Sequence, residues 1–197
     1  FEIRSGEDGK ILLLGSTPVA EASAFGWYIK HVAKGHFSWS GANIPSVLPP
    51  VKEPIVRQSP YRKRFAHNYC ALSYTAAFWD WPRWEQELDF LASNGMNQQL
   101  IIAGLEEVWR RTLLEVGYPE AKIQKFISDP AYAAWWHMGN LEGEGGVVSN
   151  EVIRRQADLG RKIFSRCEEL GIEPVLQGFV GLLPHDIGDH VKGLPLI

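Results

Sequence analysis

The stretch that most constrains this chain runs from Asn68 to Asn97, NYCALSYTAAFWDWPRWEQELDFLASNGMN. It opens with alternating small and aromatic residues, passes through the dense knot Phe78-Trp79-Asp80-Trp81-Pro82-Arg83-Trp84, and then takes on helical spacing. Trp84, Leu88 and Leu91 stand at i, i+4 and i+7, which makes one helical face apolar. Pro82 suits a first turn, where a backbone N–H has no partner within the helix. Glu85 and Glu87 lie near the positive end of the helix dipole. Asn94-Gly95 ends the helix, because Gly accepts the left-handed conformation of a C-terminal cap. An apolar run, Leu100 to Ala103, follows at once. Strand, loop, helix, glycine stop and strand make a βα unit feeding a parallel strand, and the chain reads as α/β.

Upstream, Phe1 to Arg4 and Lys10 to Leu14 predict two strands about the turn Gly6-Glu7-Asp8-Gly9. Ser16 or Thr17 can cap a helix that has Pro18 in its first turn, Ala20, Ala24, Trp27, Tyr28, His31 and Val32 on its apolar face, and Gly35 at its end. Pro45, Pro49, Pro50, Pro54 and Pro60 break helices and predict a linker with one short strand near Ile55 to Gln58. The expected division is a small α/β domain over residues 1–50, a Pro-rich linker over 51–60 and a barrel-like part over 61–197. In that last part strands are expected near 64–69, 96–103 and 173–177. Helices are expected near 105–116, 118–127, around Trp135 and Trp136, and over 152–170 with the stripe Ile153, Ala157, Phe164, Cys167, Leu170. Residues 142–146 read as a Gly-rich loop. A complete (β/α)8 barrel takes about 250 residues, so three strands and their helices fit and eight do not. The end Gly193-Leu194-Pro195-Leu196-Ile197 has no natural stop, and the chain reads as part of a larger enzyme.

A net charge of −3 with 45% hydrophobic residues is a globular composition able to build a core. The charge is too small and too mixed for nucleic acid, and no apolar run is long enough to span a membrane. Cys70 and Cys167 read as two buried free thiols rather than a disulfide framework. The chain starts at Phe1 without a signal peptide, so an N-terminal segment was removed or never included. Eight tryptophans are many for this length. Most are expected in the core, while a Trp left open offers a flat apolar face that matches the C–H face of a sugar ring.

Three groups of residues carry a resemblance. They are Asn68-x-Cys70-x-x-Ser73-Tyr74; Trp79-Asp80-Trp81-x-Arg83-Trp84-Glu85-x-Glu87; and Asn94-Gly95-x-Asn97. Trp135-x-x-Met138-Gly139-Asn140 and Pro174-Val175-Leu176 extend it downstream. With these the chain resembles the α-N-acetylglucosaminidases, glycoside hydrolase family 89, over about residues 10 to 190. The resemblance implies a small N-terminal α/β domain followed by the first strands and helices of a truncated TIM-type (β/α)8 barrel. It implies no cofactor and no metal, and a secreted, periplasmic or lysosomal location. The loop Leu141–Val148, LEGEGGVV, departs from the longer Trp- and Pro-containing segment common in the family, and Trp136 and His137 also differ from the usual residues there.

Ligands bind at the C-terminal ends of barrel strands, which selects residues 68–74, 103–107 and 178–184. Asn68 can donate to and accept from sugar hydroxyls, or satisfy buried backbone. Tyr74 can donate to a hydroxyl and pack its ring. Cys70 reads from the residue alone as a core thiol; the resemblance puts it in the pocket with Asn68, Tyr74, Trp135 as stacking platform and Met138 beside it. Glu106 could reach a sugar hydroxyl, although Glu106 and Glu107 also suit a helix start. Asp80, Glu85 and Glu87 are not placed as a catalytic pair, since Glu85 and Glu87 are two apart on a helix and face different ways. His185-Asp186 and Asp189-His190 read as a solvated loop rather than a metal site. The resemblance implies an exo-acting, retaining enzyme on non-reducing terminal α-linked N-acetylglucosamine of a glycan, with both catalytic glutamates beyond Ile197. A non-catalytic glycan-binding protein and an inactive fragment are the alternatives.

Overall fold

The computed structural model describes residues 1–191, and the expected chain end at Gly193–Ile197 lies outside them. In chain order the elements are β1 (Glu2–Ser5), β2 (Ile11–Leu14), α1 (Pro18–His31), β3 (His36–Ser38), β4 (Gly41–Asn43), β5 (Ile55–Val56), β6 (Phe65–Ala66) and α2 (Tyr69–Tyr74). They continue with α3 (Trp81–Ser93), β7 (Gln98–Ile101), α4 (Leu105–Glu115), α5 (Glu120–Phe126), α6 (Ala133–His137), α7 (Asn150–Leu170), β8 (Glu173–Leu176) and α8 (Ile187–His190). The described residues fall into two compact units: 1–66, 82–99 and 163–175 form one, and 67–81, 100–162 and 176–191 the other.

In the first unit β1 lies between β2 and β5 and pairs antiparallel with both, Ile3 standing opposite Leu13 and Ile55. The Gly6–Gly9 turn is closed by the Gly6 N–H donating to Lys10 O at 2.8 Å. Thr17, not Ser16, caps α1: its Oγ1 accepts the Ala20 N–H at 3.2 Å, with Pro18 in the first turn. The buried stripe of α1 is Val19, Ala24, Tyr28 and Ile29; His31, expected on that face, is exposed. Ile3, Ala24, Tyr28, Ile29 and Ala33 form one core cluster, and the Tyr28 hydroxyl finds Pro49 O at 2.7 Å. A hairpin of β3 and β4 follows, which the sequence reading lacked.

Also in this unit, α3 buries Trp84, Leu88 and Leu91 as their spacing requires, and Gly95 ends it at φ +77°. The fully buried Glu87 meets Arg83 one turn earlier at 3.1 Å. The three expected barrel strands stand side by side in the order β6-β7-β8, and β6 and β7 pair in parallel with Phe65 opposite Gln98. The Glu173 N–H donates to Asn97 O at 2.9 Å. The first strand is shorter than the expected 64–69, because the chain turns helical at Tyr69.

The second unit packs around Leu113, Tyr118, Ile123, Phe126, Trp136, Ile153 and Ile187. Trp136 is its largest fully buried side chain; its ring meets Trp109 and Phe126, each at 5.4 Å between centroids. In α7 the buried positions are Ile153, Ala157 and Gly160 in this unit and Ile163 and Cys167 in the first, so Ile163 is buried where Phe164 was expected. The loop 141–148 is a strap rather than a free loop. Gly143 N–H donates to Phe126 O, Asp129 N–H to Glu144 O, and Val148 N–H to Gln124 O, at 2.8–2.9 Å.

The tract at His185–His190 is a correction. Ile187–His190 is a short helix, α8, whose Ile187 enters the core. Asp186 accepts hydrogen bonds from Tyr118 Oη and Lys122 Nζ, and Lys122 Nζ lies 2.9 Å from His190 Nε2. Those partners come from the start of α5, some sixty residues back, and so no local pattern announces them. Among the described residues no helix is long and apolar enough to cross a membrane, and no three His, Cys, Asp or Glu gather as a metal site.

Candidate functional site

Residues 68–74, selected at the C-terminal end of the expected first strand, cap and form the helix α2. Asn68 is exposed and caps it: its Oδ1 accepts the Ala71 N–H at 2.8 Å. Its amide group is left for another partner while the backbone is satisfied, so both uses foreseen for Asn68 are compatible. Cys70 sits in the first turn and is half-buried, not the buried thiol expected; both cysteines are free. Tyr74 closes the helix and is 78% exposed.

Tyr74 meets Trp135 of α6 edge-on, with ring centroids 5.1 Å apart and planes at 83°. That T-shaped geometry suits the quadrupoles of two rings and leaves a ring face uncovered by the pair. Ser73 sets the contact. Buried itself, it donates through Oγ to Pro130 O at 3.1 Å and accepts the Ala134 N–H at 2.9 Å, clipping α2 to the start of α6. Met138 follows α6 as its C-cap and is half-buried, its N–H donating to Ala134 O at 3.1 Å. Of the six expected site residues, the structure puts Tyr74 and Trp135 in ring contact. Asn68 and Cys70 lie earlier along Tyr74's helix, and Met138 just past Trp135's.

Glu106 is set differently. It and Glu107 form the first turn of α4, and both are buried. Glu106 Oε2 accepts the Gly104 N–H at 2.9 Å, and Oε1 lies 3.7 Å from the buried His137 Nε2. Glu107 faces Arg110 at 3.3 Å and Arg111 at 2.7 Å. Arg110 also holds Glu120 at 2.6 Å, and Asn150 Nδ2 reaches the same carboxylate at 2.8 Å. Hydrogen bonds from Arg110 and Asn150 lower the pKa of Glu120 below the usual carboxylate range. This array neutralises its carboxylates in place, and no two of them stand open across a cleft.

The turn that carries Glu106 is held by close packing. Gly104 has φ +92°, and a Cβ there would meet Ala157 Cα at 2.9 Å; a Cβ on Gly160 would meet Ala103 O at 2.1 Å. Two glycines therefore let α7 lie directly on the backbone from which Glu106 projects. An apolar groove of about 500 Å³ runs beside it, walled by Trp109, Val116, Phe179 and Leu183 with His137 and Gln177; it includes none of the six expected residues.

Sequence reasoning missed Ser73, His137 and Gln177. Ser73 lay within the quoted motif, and a serine inside a helix turn between aromatics is the signal that could have found it. His137 beside Trp136, and Gln177 at a strand end, give no signal until the fold brings them together: Gln177 Nε2 donates to His137 O.

Comparison with known proteins identifies the family. Residues 64–196 match the family described as "Alpha-N-acetylglucosaminidase (NAGLU) tim-barrel domain", and residues 1–50 match its N-terminal domain. Human α-N-acetylglucosaminidase is 33% identical over 189 residues, 95% of this chain and 25% of that protein. A family 89 glycoside hydrolase from Clostridium perfringens, in complex with PUGNAc, superposes with a TM-score of 0.92 at 43% identity, over 96% of this chain and 22% of that one. A form of that enzyme with two glutamates replaced by glutamine, in complex with its substrate GlcNAc-α-1,4-galactose, superposes with the same TM-score and coverage. The chain thus spans about a quarter of the length of the curated relative it matches. It belongs to the α-N-acetylglucosaminidase family, glycoside hydrolase family 89, and comprises the N-terminal domain and part of the TIM-barrel domain.

Proposed function

We propose that this chain is the sugar-gripping part of an exo-acting α-N-acetylglucosaminidase that removes non-reducing terminal α-linked N-acetylglucosamine from a glycan with retention. The observation that supports this most is the Tyr74–Trp135 pair, an exposed tyrosine edge-on to a half-buried tryptophan, on the two helices that carry the family's residues. An exposed indole face stacks on the C–H face of a pyranose. The Asn68 amide lies along the same helix and offers hydrogen bonds to hydroxyls or to the acetamido group. Cys70 and Met138 supply soft apolar contact at the sides. Glu106, buried and bound to the Gly104 N–H, supports this set from behind and does not touch the sugar.

Retention needs two carboxyl groups about 5–5.5 Å apart astride the scissile bond, one as nucleophile and one as acid/base. Among the described residues Glu87 is engaged with Arg83, Glu107 with Arg110 and Arg111, and Glu106 with the Gly104 N–H. The two catalytic glutamates are therefore assigned to later barrel strands of the longer protein. The test compares residues 1–197 with a protein of the relatives' length on an aryl α-N-acetylglucosaminide. The longer protein is expected to release N-acetylglucosamine first as the α-anomer, and residues 1–197 to give none. Binding without turnover by the longer protein would favour a lectin-like role, and turnover by residues 1–197 would move the catalytic pair into this chain.

A further inference from the structure

We infer that Glu106 serves the reaction as a positioning residue: through His137 it holds α6 in place, and with it Trp135 and Met138. The inference rests on the functional reading above and gives Glu106 a role other than direct contact with the sugar.

The Glu106 side chain is shut away at 7% exposure, so a hydroxyl in an open site does not reach it. Its two oxygens face two protein groups. Oε2 takes the N–H of Gly104, fixing the carboxylate to the β7–α4 turn, and that turn cannot yield because α7 packs against it at Gly104 and Gly160. Oε1 faces His137 Nε2 at 3.7 Å. That nitrogen is buried and has no hydrogen-bond partner, so the carboxylate is the polar group it has, and a small rotation of either side chain closes the gap.

His137 is the last residue of α6, directly before Met138 and two after Trp135. Its carbonyl accepts from Gln177 Nε2, at the end of β8. The helix is only five residues long, too short to hold its own shape. Ser73 grips its start, Trp136 roots its middle in the core, and Glu106 with Gln177 grips its end. Loss of the last grip lets the C-terminal turn swing, which moves the Trp135 ring against Tyr74 and turns Met138 away. Because Trp135 and Met138 are assigned to holding the sugar and not to the reacting bond, the effect is expected on substrate affinity first.

The test uses the longer enzyme. Glu106→Ala is expected to raise KM for the aryl α-N-acetylglucosaminide at least tenfold while kcat falls less than threefold. Glu106→Gln keeps the length and the acceptor for Gly104 and is expected to stay within threefold of the parent, which also keeps the test valid if the alanine variant folds poorly. Combining Glu106→Ala with His137→Gln should be no worse than Glu106→Ala alone. Amide exchange in residues 133–138 should rise at least tenfold in Glu106→Ala. Additive losses in the double variant, or a Glu106→Ala enzyme with parental KM and parental exchange, would overturn the inference. If the parent enzyme has no activity the functional reading falls, and the exchange measurement alone still decides whether Glu106 restrains α6.

Discussion

Trp135 and Trp136 are neighbours on one short helix, and the two sides of that helix behave oppositely. On the inner side Trp136 is 1% exposed and wedged between Trp109 and Phe126. On the outer side Trp135 leans against Tyr74, a side chain 78% exposed. The inner side holds the fold together; the outer side keeps aromatic surface available. The difference teaches that tryptophan count alone separates nothing: full burial for one indole and partial exposure for the next are decided by which way a five-residue helix faces.

The largest effect should come from the inner side. Trp136→Ala removes a buried indole and leaves a cavity, so unfolding free energy should fall by about 3–5 kcal/mol, read from the denaturant midpoint. A shift below 1 kcal/mol would mean that the inner side is not the structural one. Next, Ser73→Ala takes the acceptor from the Ala134 N–H and the donor from Pro130 O. Its expected cost is about 1–3 kcal/mol, because a buried backbone N–H is left unsatisfied. Weakened sugar binding should accompany it, since the clip sets the Tyr74–Trp135 contact.

A pH measurement sharpens the comparison on the inner side. Hydrogen bonds from Lys122 and Tyr118 lower the Asp186 pKa from 3.8 to about 2. A lowered carboxyl stabilises the fold above its unfolded value and loses that contribution as pH falls through the folded one. Stability from this group is therefore complete above about pH 5 and drains away towards pH 2. Asp186→Asn should flatten that part of the acid limb and leave the behaviour above pH 5 unchanged in slope. The smallest effect is chemical: burial pushes the Cys167 thiol up to about 12, while Cys70 is half-buried in α2. An alkylating reagent at neutral pH should modify Cys70 well before Cys167 in the folded protein, and terminal N-acetylglucosamine should slow it.

Much of the scaffold was legible because its signals are local. The Trp84, Leu88, Leu91 spacing, the Pro18 start after Thr17, and the glycine stop at Gly95 all depend on residues within a turn or two. The site was legible only in part. Its residue types came from motif spacing, but the helix α2 was not foreseen: six residues starting at an Asn cap are too few to show a period. The β3–β4 hairpin escaped because residues 36–43 show no run of alternating β-branched residues. Asp186 and His137 were unreadable for another reason. Their partners Tyr118, Lys122 and Glu106 are far away in sequence, and nothing local distinguishes a paired carboxylate from a solvated one.

The outer side carries the central claim, and one measurement addresses it most directly. In an enzyme of the relatives' length, Trp135→Ala should leave the unfolding midpoint within about 1 kcal/mol of the parent, as expected for a side chain outside the core. The same substitution should raise KM for an aryl α-N-acetylglucosaminide at least tenfold, a loss of about 1.4 kcal/mol of binding. A folded Trp135→Ala enzyme with parental KM and kcat would show that this indole does not grip the sugar, and would contradict the account.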